Sequence, residues 1–84
     1  MGKSLRSPGH RALMDALRNG RRATGMTQAE LARRLGRPQS YVAKCEGGER
    51  RLDVVEFCAW VRELEVAPMT VLQPILDAVD GAAD

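Results

Sequence analysis

Residues 27–48 read TQAELARRLGRPQSYVAKCEGG, and the rest of the 84-residue chain is organised around them. Thr27 is followed three residues later by Glu30, the spacing of a capping box. The hydroxyl can accept a first-turn N–H while the carboxylate reaches back to the cap residue. Leu31, Ala32 and Leu35 then fall on one helical face. Gly36 ends that helix, because glycine takes a left-handed conformation at no steric cost. Arg37-Pro38 opens a second helix, since proline has its φ preset for a first turn and needs no N–H there. Val42 and Cys45, with Tyr41 beside them, give this helix an apolar side, and Gly47-Gly48 closes it.

Two short helices joined by a tight glycine turn make a helix-turn-helix pattern. Ala32 lies four residues before Gly36, so the helices can approach closely over a small side chain. Leu31, Leu35, Val42 and Cys45 are spaced to pack inward, which leaves Gln39, Ser40, Ala43 and Lys44 on the outer face of the second helix. Outer residues at the start of such a helix can touch base edges in a major groove.

TQAELARRLG followed by PQSYVAKCEGGER resembles the phage-repressor and Cro type of helix-turn-helix domain, the XRE-like family of bacterial regulators, from about His10 to Leu72. The resemblance implies an all-α, compact five-helix, lambda-repressor-like DNA-binding domain. Its helix-turn-helix would lie at helices 2 and 3, with helix 3 over residues 38–46. Two positions depart from the family pattern. Arg37 follows the turn glycine where an apolar residue is usual, and Cys45 stands where a larger apolar residue is usual. The first adds a candidate phosphate contact; the second loosens the core slightly.

The length allows one domain and one core. Residues 1–9 read as a flexible basic arm, 10–80 as the single domain, and 81–84 as a tail. No apolar run approaches the ~20 residues of a transmembrane helix, and no signal-peptide core is present, so a cytoplasmic protein of a bacterial or phage-infected cell is expected. Cys45 and Cys58 sit at inward-looking helical positions and read as small buried thiols. With His10 the only histidine and no CxxC, neither a metal nor a cofactor is expected.

The net charge of +2 hides an asymmetry. Residues 1–51 hold 12 Lys/Arg and 4 Asp/Glu, a balance of +8; residues 52–84 hold one Arg and seven acids, a balance of −6. Only the first half suits a polyanion.

Ser7-Pro8 marks the start of helix one, whose apolar stripe is Leu13, Met14, Leu17 and Ala23. Thr24-Gly25 ends it. The family resemblance assigns Arg21 to a phosphate or to an ion pair with Glu46. It assigns Gln28 to a phosphate at the N-terminus of helix two, where backbone N–H groups point outward, and to buttressing Gln39. Arg33 and Arg34 lie off the apolar stripe and are candidate phosphate contacts, or simply solvated charges. On helix three Gln39 can take adenine, Lys44 guanine or a phosphate, Ser40 either base partner, and Ala43 a thymine methyl. Tyr41 either offers its hydroxyl to a phosphate or covers the core edge. Arg50 and Arg51 follow in a basic loop suited to the DNA backbone.

Asp53 to Glu56 is another cap-like start, followed by Val54, Phe57, Cys58, Val61 and Leu64 as core. Pro68 begins a fifth helix. Pro74 inside it predicts a kink or break near Gln73. Trp60 with Leu72, Ile75, Leu76 and Val79 forms a candidate two-fold dimer interface, in the region through which related proteins dimerise; the alternative is that the stripe folds onto its own core.

No nucleophile–base pair, paired carboxylates or phosphate-cradling glycine loop is visible, so an enzyme is not expected. The expected function is a sequence-specific, double-stranded-DNA-binding regulator, a dimeric repressor. Its other partner class is a protein, polymerase or toxin. The alternative is an antitoxin-like or phage-encoded interaction module working through the acidic, apolar C-terminal half. RNA is disfavoured, since no aromatic stacking platform is present.

Overall fold

The structure, a computed structural model, describes residues 7–79. Five helices follow one another: α1 Pro8–Ala23, α2 Gln28–Leu35, α3 Gln39–Gly47, α4 Val54–Leu64 and α5 Pro68–Ala78. The all-α class and the helix count agree with the sequence reading.

Local chemistry sets most boundaries. Ser7 caps α1, its hydroxyl accepting from the His10 N–H at 3.1 Å, and Pro8 fills the first turn. The helix therefore takes over the end of the expected 1–9 arm; residues 1–6, the remainder of that arm, and 80–84, the last residue of the expected domain and the 81–84 tail, lie outside the described residues. Thr27 caps α2 by accepting from the Glu30 N–H at 3.0 Å. Only that half of the expected capping box forms, because the Glu30 carboxylate turns to Arg33 and Arg34 instead. Gly36 ends α2 in the left-handed region, with φ 69°.

Pro38 is the cap residue of α3 rather than a member of its first turn, with ψ 153°, so the helix starts one residue later than expected. Asp53 and Glu56 complete a full capping box at α4. That helix ends on Glu65, the one non-glycine residue with positive φ among those described (φ 56°).

Pro74 does not break α5, which runs unbroken from Pro68 to Ala78. The proline removes the N–H that would bond Thr70, and both residues are exposed, so water can serve the carbonyl left over.

The core is built from Leu17, Leu31, Ala32, Tyr41, Val42, Cys45, Trp60 and Leu64, with Leu13, Met26, Leu35, Leu52 and Val66 packed around it. α2 and α3 pack on each other, α4 closes against α2, and α5 lies back along α1, where it buries Val71. Four expectations for the core are corrected. Val54 is 77 % exposed and Cys58 is exposed, because α4 turns its Trp60–Val61–Leu64 side inward. Ala23 is exposed at the end of α1. Trp60 has no exposed surface, and its indole N–H donates to the Tyr41 hydroxyl at 3.2 Å. It is a core residue and has no surface to offer a second copy.

Candidate nucleic-acid interface

A buried ion pair locks α1, α2 and α3 together. Arg21 donates through Nε and Nη2 to the Glu46 carboxylate at 2.7 and 3.0 Å, and through Nη1 to the Met26 carbonyl at 2.8 Å. Gln28 donates to the same carboxylate at 3.0 Å. Arg18 donates to the Glu46 backbone carbonyl at 2.8 Å, which holds the C-terminal end of α3. Burial pushes the Glu46 pKa up. The hydrogen bonds from Arg21 and Gln28 and the charges of Arg21 and Arg18 outweigh it, so the carboxyl titrates below its ordinary range.

Two expectations change here. Arg21 is only 8 % exposed and is engaged by Glu46, so of its two sequence roles the ion pair is the one realised. Gln28 braces Glu46 rather than Gln39.

With its ends fixed, α3 has two different sides. Tyr41, Val42, Cys45 and Glu46 are buried, while Gln39, Ser40 and Lys44 are exposed and Ala43 is partly covered. The four residues expected at base edges thus share the outward side of one helix.

Around the start of α3 the structure assembles a cluster that spacing alone did not show. Glu56, from the capping box of α4, accepts from Arg37 at 3.0 Å and from Arg50 at 3.1 and 2.8 Å. Both guanidinium carbons lie over the Tyr41 ring, 4.2 and 4.8 Å from its centroid. The Arg50 hydrogen bonds, with the Asp53 N–H, hold the Glu56 carboxyl down at about 2, and the Arg50 guanidinium is correspondingly raised. Tyr41 therefore covers the core edge as a stacking surface. Its hydroxyl accepts from Trp60, and burial first of all raises its pKa.

Arg33 and Arg34 share Glu30 on the outer side of α2, at 2.6 and 2.9 Å, and both are exposed. Arg51 is exposed in the loop after α3. Leu72 and Ile75 are partly buried and, with Leu13, Leu52, Phe57 and the exposed Val54, line a shallow groove, while Leu76 and Val79 are 52 % and 49 % exposed.

The sequence reading missed Arg18 and Glu56. Arg18 stands on a flank of α1, and no spacing rule ties it to a carbonyl 28 residues away. Glu56 lies 19 residues from Arg37 and announced itself only as a cap.

This geometry defines a helix-turn-helix domain, with a polar helix face outward and a basic border. A family model described as a helix-turn-helix domain matches residues 12–70. A solved structure, the XRE-family like protein from Pseudomonas syringae pv. tomato str. DC3000, superposes with a TM-score of 0.75 at 46 % identity, over 86 % of this chain and 88 % of that one. The chain belongs to the XRE-type helix-turn-helix family, and its function is of the DNA-binding, transcription-regulator kind. No curated protein matches it significantly. Among the described residues, no helix is long and apolar enough to cross a membrane.

Proposed function

We propose that this chain is a sequence-specific regulator of the cytoplasm that binds double-stranded DNA as a homodimer and represses transcription. One observation carries the reading: α3 buries Tyr41, Val42 and Cys45 at 7 % exposure or less and turns Gln39, Ser40 and Lys44 to solvent. Set in a major groove, Gln39 pairs with an adenine, Lys44 with a guanine, Ser40 with either partner, and Ala43 meets a thymine methyl. The α2 N-terminus near Gln28, with Arg33, Arg37, Arg50 and Arg51, follows the phosphates and supplies most of the affinity.

The exposed Leu76 and Val79, continuous with Leu72, Ile75 and the Val54–Phe57 side of the groove, support a two-fold contact between copies. Such a dimer sets its two recognition helices about 34 Å apart. The same apolar patch on an acidic half supports the second reading, a module whose main partner is a protein. Gln39→Ala with Lys44→Ala separates the two, since giving up one base-edge interaction costs about 1–3 kcal/mol. A cellular phenotype that survives the double change would favour the protein partner.

The direct test is fluorescence-anisotropy binding to DNA upstream of the chain's own gene and to a scrambled duplex, at roughly 50 and 200 mM salt. Preference for the upstream duplex that persists at the higher salt is expected. Equal, salt-sensitive binding to both would point to an operator elsewhere or to a specificity that resides in a protein partner.

A further inference from the structure

We infer that Glu56 is a positioning residue for DNA binding: an acidic side chain that strengthens the grip on phosphate by holding Arg37 and Arg50 together over Tyr41. The inference rests on the DNA-binding reading above and adds to it the carboxylate that shapes the contact. Three features of the cluster carry it.

The arginines come from different segments, Arg37 from the turn before α3 and Arg50 from the loop after it, and both are drawn onto Glu56 Oε2, at 3.0 and 2.8 Å. The Tyr41 ring gives both guanidiniums a floor, at distances where a cation is attracted to an aromatic face. The carboxylate is itself tied down, since its Oε1 accepts from the Asp53 N–H at 3.1 Å as part of the α4 cap. The arginine side chains nevertheless remain 41 % and 38 % exposed, against 17 % for Glu56, so guanidinium surface is still open to a ligand. A free arginine gives up rotamer freedom when it meets a phosphate. Here that ordering is done before DNA arrives.

The inference makes a prediction opposite in sign to simple electrostatics. Removing a carboxylate beside a polyanion should tighten binding; removing a brace should weaken it. The probe is a random-sequence duplex of about 24 base pairs, because non-specific binding is carried by the phosphates and needs no known operator.

Glu56→Gln keeps the shape and an acceptor for the α4 cap while deleting the charge, and Glu56→Asp keeps the charge while shortening its reach. Both are expected to weaken binding about three- to tenfold. The salt slope should fall by as much as about two, roughly 0.9 for each phosphate no longer neutralised. In a chain already carrying Arg37→Ala and Arg50→Ala, neither change at Glu56 should weaken binding further. Circular dichroism checks whether each variant keeps its helices, and the aspartate variant stands as an independent test if the glutamine variant does not fold.

Equal or tighter binding by the folded Glu56 variants would overturn the inference. So would the same weakening in the Arg37→Ala/Arg50→Ala background. If the wild-type chain bound no duplex at all, the DNA-binding reading itself would fall, and this inference with it.

Discussion

Replacing Glu46 by alanine should nearly unfold the domain. The carboxylate is 2 % exposed and takes three hydrogen bonds, two from Arg21 and one from Gln28. Arg21, itself 8 % exposed, would keep only the Met26 carbonyl at 2.8 Å. Removing one partner of a buried pair costs about 3–5 kcal/mol, because the remaining charge is stranded away from water. A small domain has about 5–15 kcal/mol in all, and 84 residues place this one toward the lower end. At about 4 °C per kcal/mol, the shallow end for this size, the smaller cost lowers Tm by about 12 °C.

Urea unfolding followed by far-ultraviolet circular dichroism and by Trp60 fluorescence measures the loss with two probes. The apolar replacement Arg21→Met with Glu46→Leu should recover most of it, since a buried pair exchanged for packed hydrophobes is often neutral. The acid side gives a further check. The Glu46 pKa is lowered in the fold, so its contribution is full above the unfolded value of about 4.3 and fades as pH falls through the folded one. The gap between wild type and Glu46→Ala should therefore be widest near neutrality and narrow below about pH 4. A loss at pH 7 under about 1 kcal/mol, the size of an exposed pair, would refute the reasoning.

Other expectations follow from single features. Glu65→Gly should stabilise the chain by about 1 kcal/mol in the same urea assay, because a left-handed φ of 56° costs a residue with a Cβ and not a glycine. A thiol reagent should modify exposed Cys58 at once in the native protein. It should reach Cys45, which is 2 % exposed and whose pKa burial pushes up, only on unfolding. Leu76→Glu with Val79→Glu should turn a dimer into a monomer in sedimentation without loss of helicity; a monomeric wild type at high micromolar concentration would remove the dimer.

How much of this was legible in the sequence depends on the range of the signal. Caps and stops are local. Ser7-Pro8, Thr27, Gly36, Gly48 and the Asp53–Glu56 box each act within one turn, and they placed the first four helices to within a residue or two. The inward row Leu31, Ala32, Val42 and Cys45 was legible because its spacing is that of a helix face. Spacing could not say which of two apolar sides of α4 turns inward. Val54, Val55, Phe57 and Trp60 offer a hydrophobic choice in nearly every direction, and it is settled by the distant residues that receive Trp60 and Leu64 in the core, Tyr41 among them. The absence of the expected break at Pro74 has a similar origin, for the cost of an interior proline depends on whether water can reach the carbonyl it leaves unpaired.

The electrostatic side was the least legible, and the reason bears on function. A balance of +8 in residues 1–51 describes a segment of chain and not a surface. In the fold, carboxylates from three helices divide those cations into classes. The burial of each carboxylate, rather than the number of arginines, sets the class. Where both partners are sunk, as in Arg21–Glu46 with side chains 10 % and 3 % exposed, the charge is neutralised inside and serves the joint between α1, α2 and α3. Where the acid is covered but the base is not, as in Arg37–Glu56 at 41 % and 17 %, the pair orders its arginine and leaves it open to solvent. Where both are wet, as in Arg33–Glu30 at 71 % and 33 %, the pair constrains little and a phosphate can compete with the carboxylate. An acidic residue supplied by the C-terminal half thus belongs to the basic face, because it decides where two of that face's cations stand.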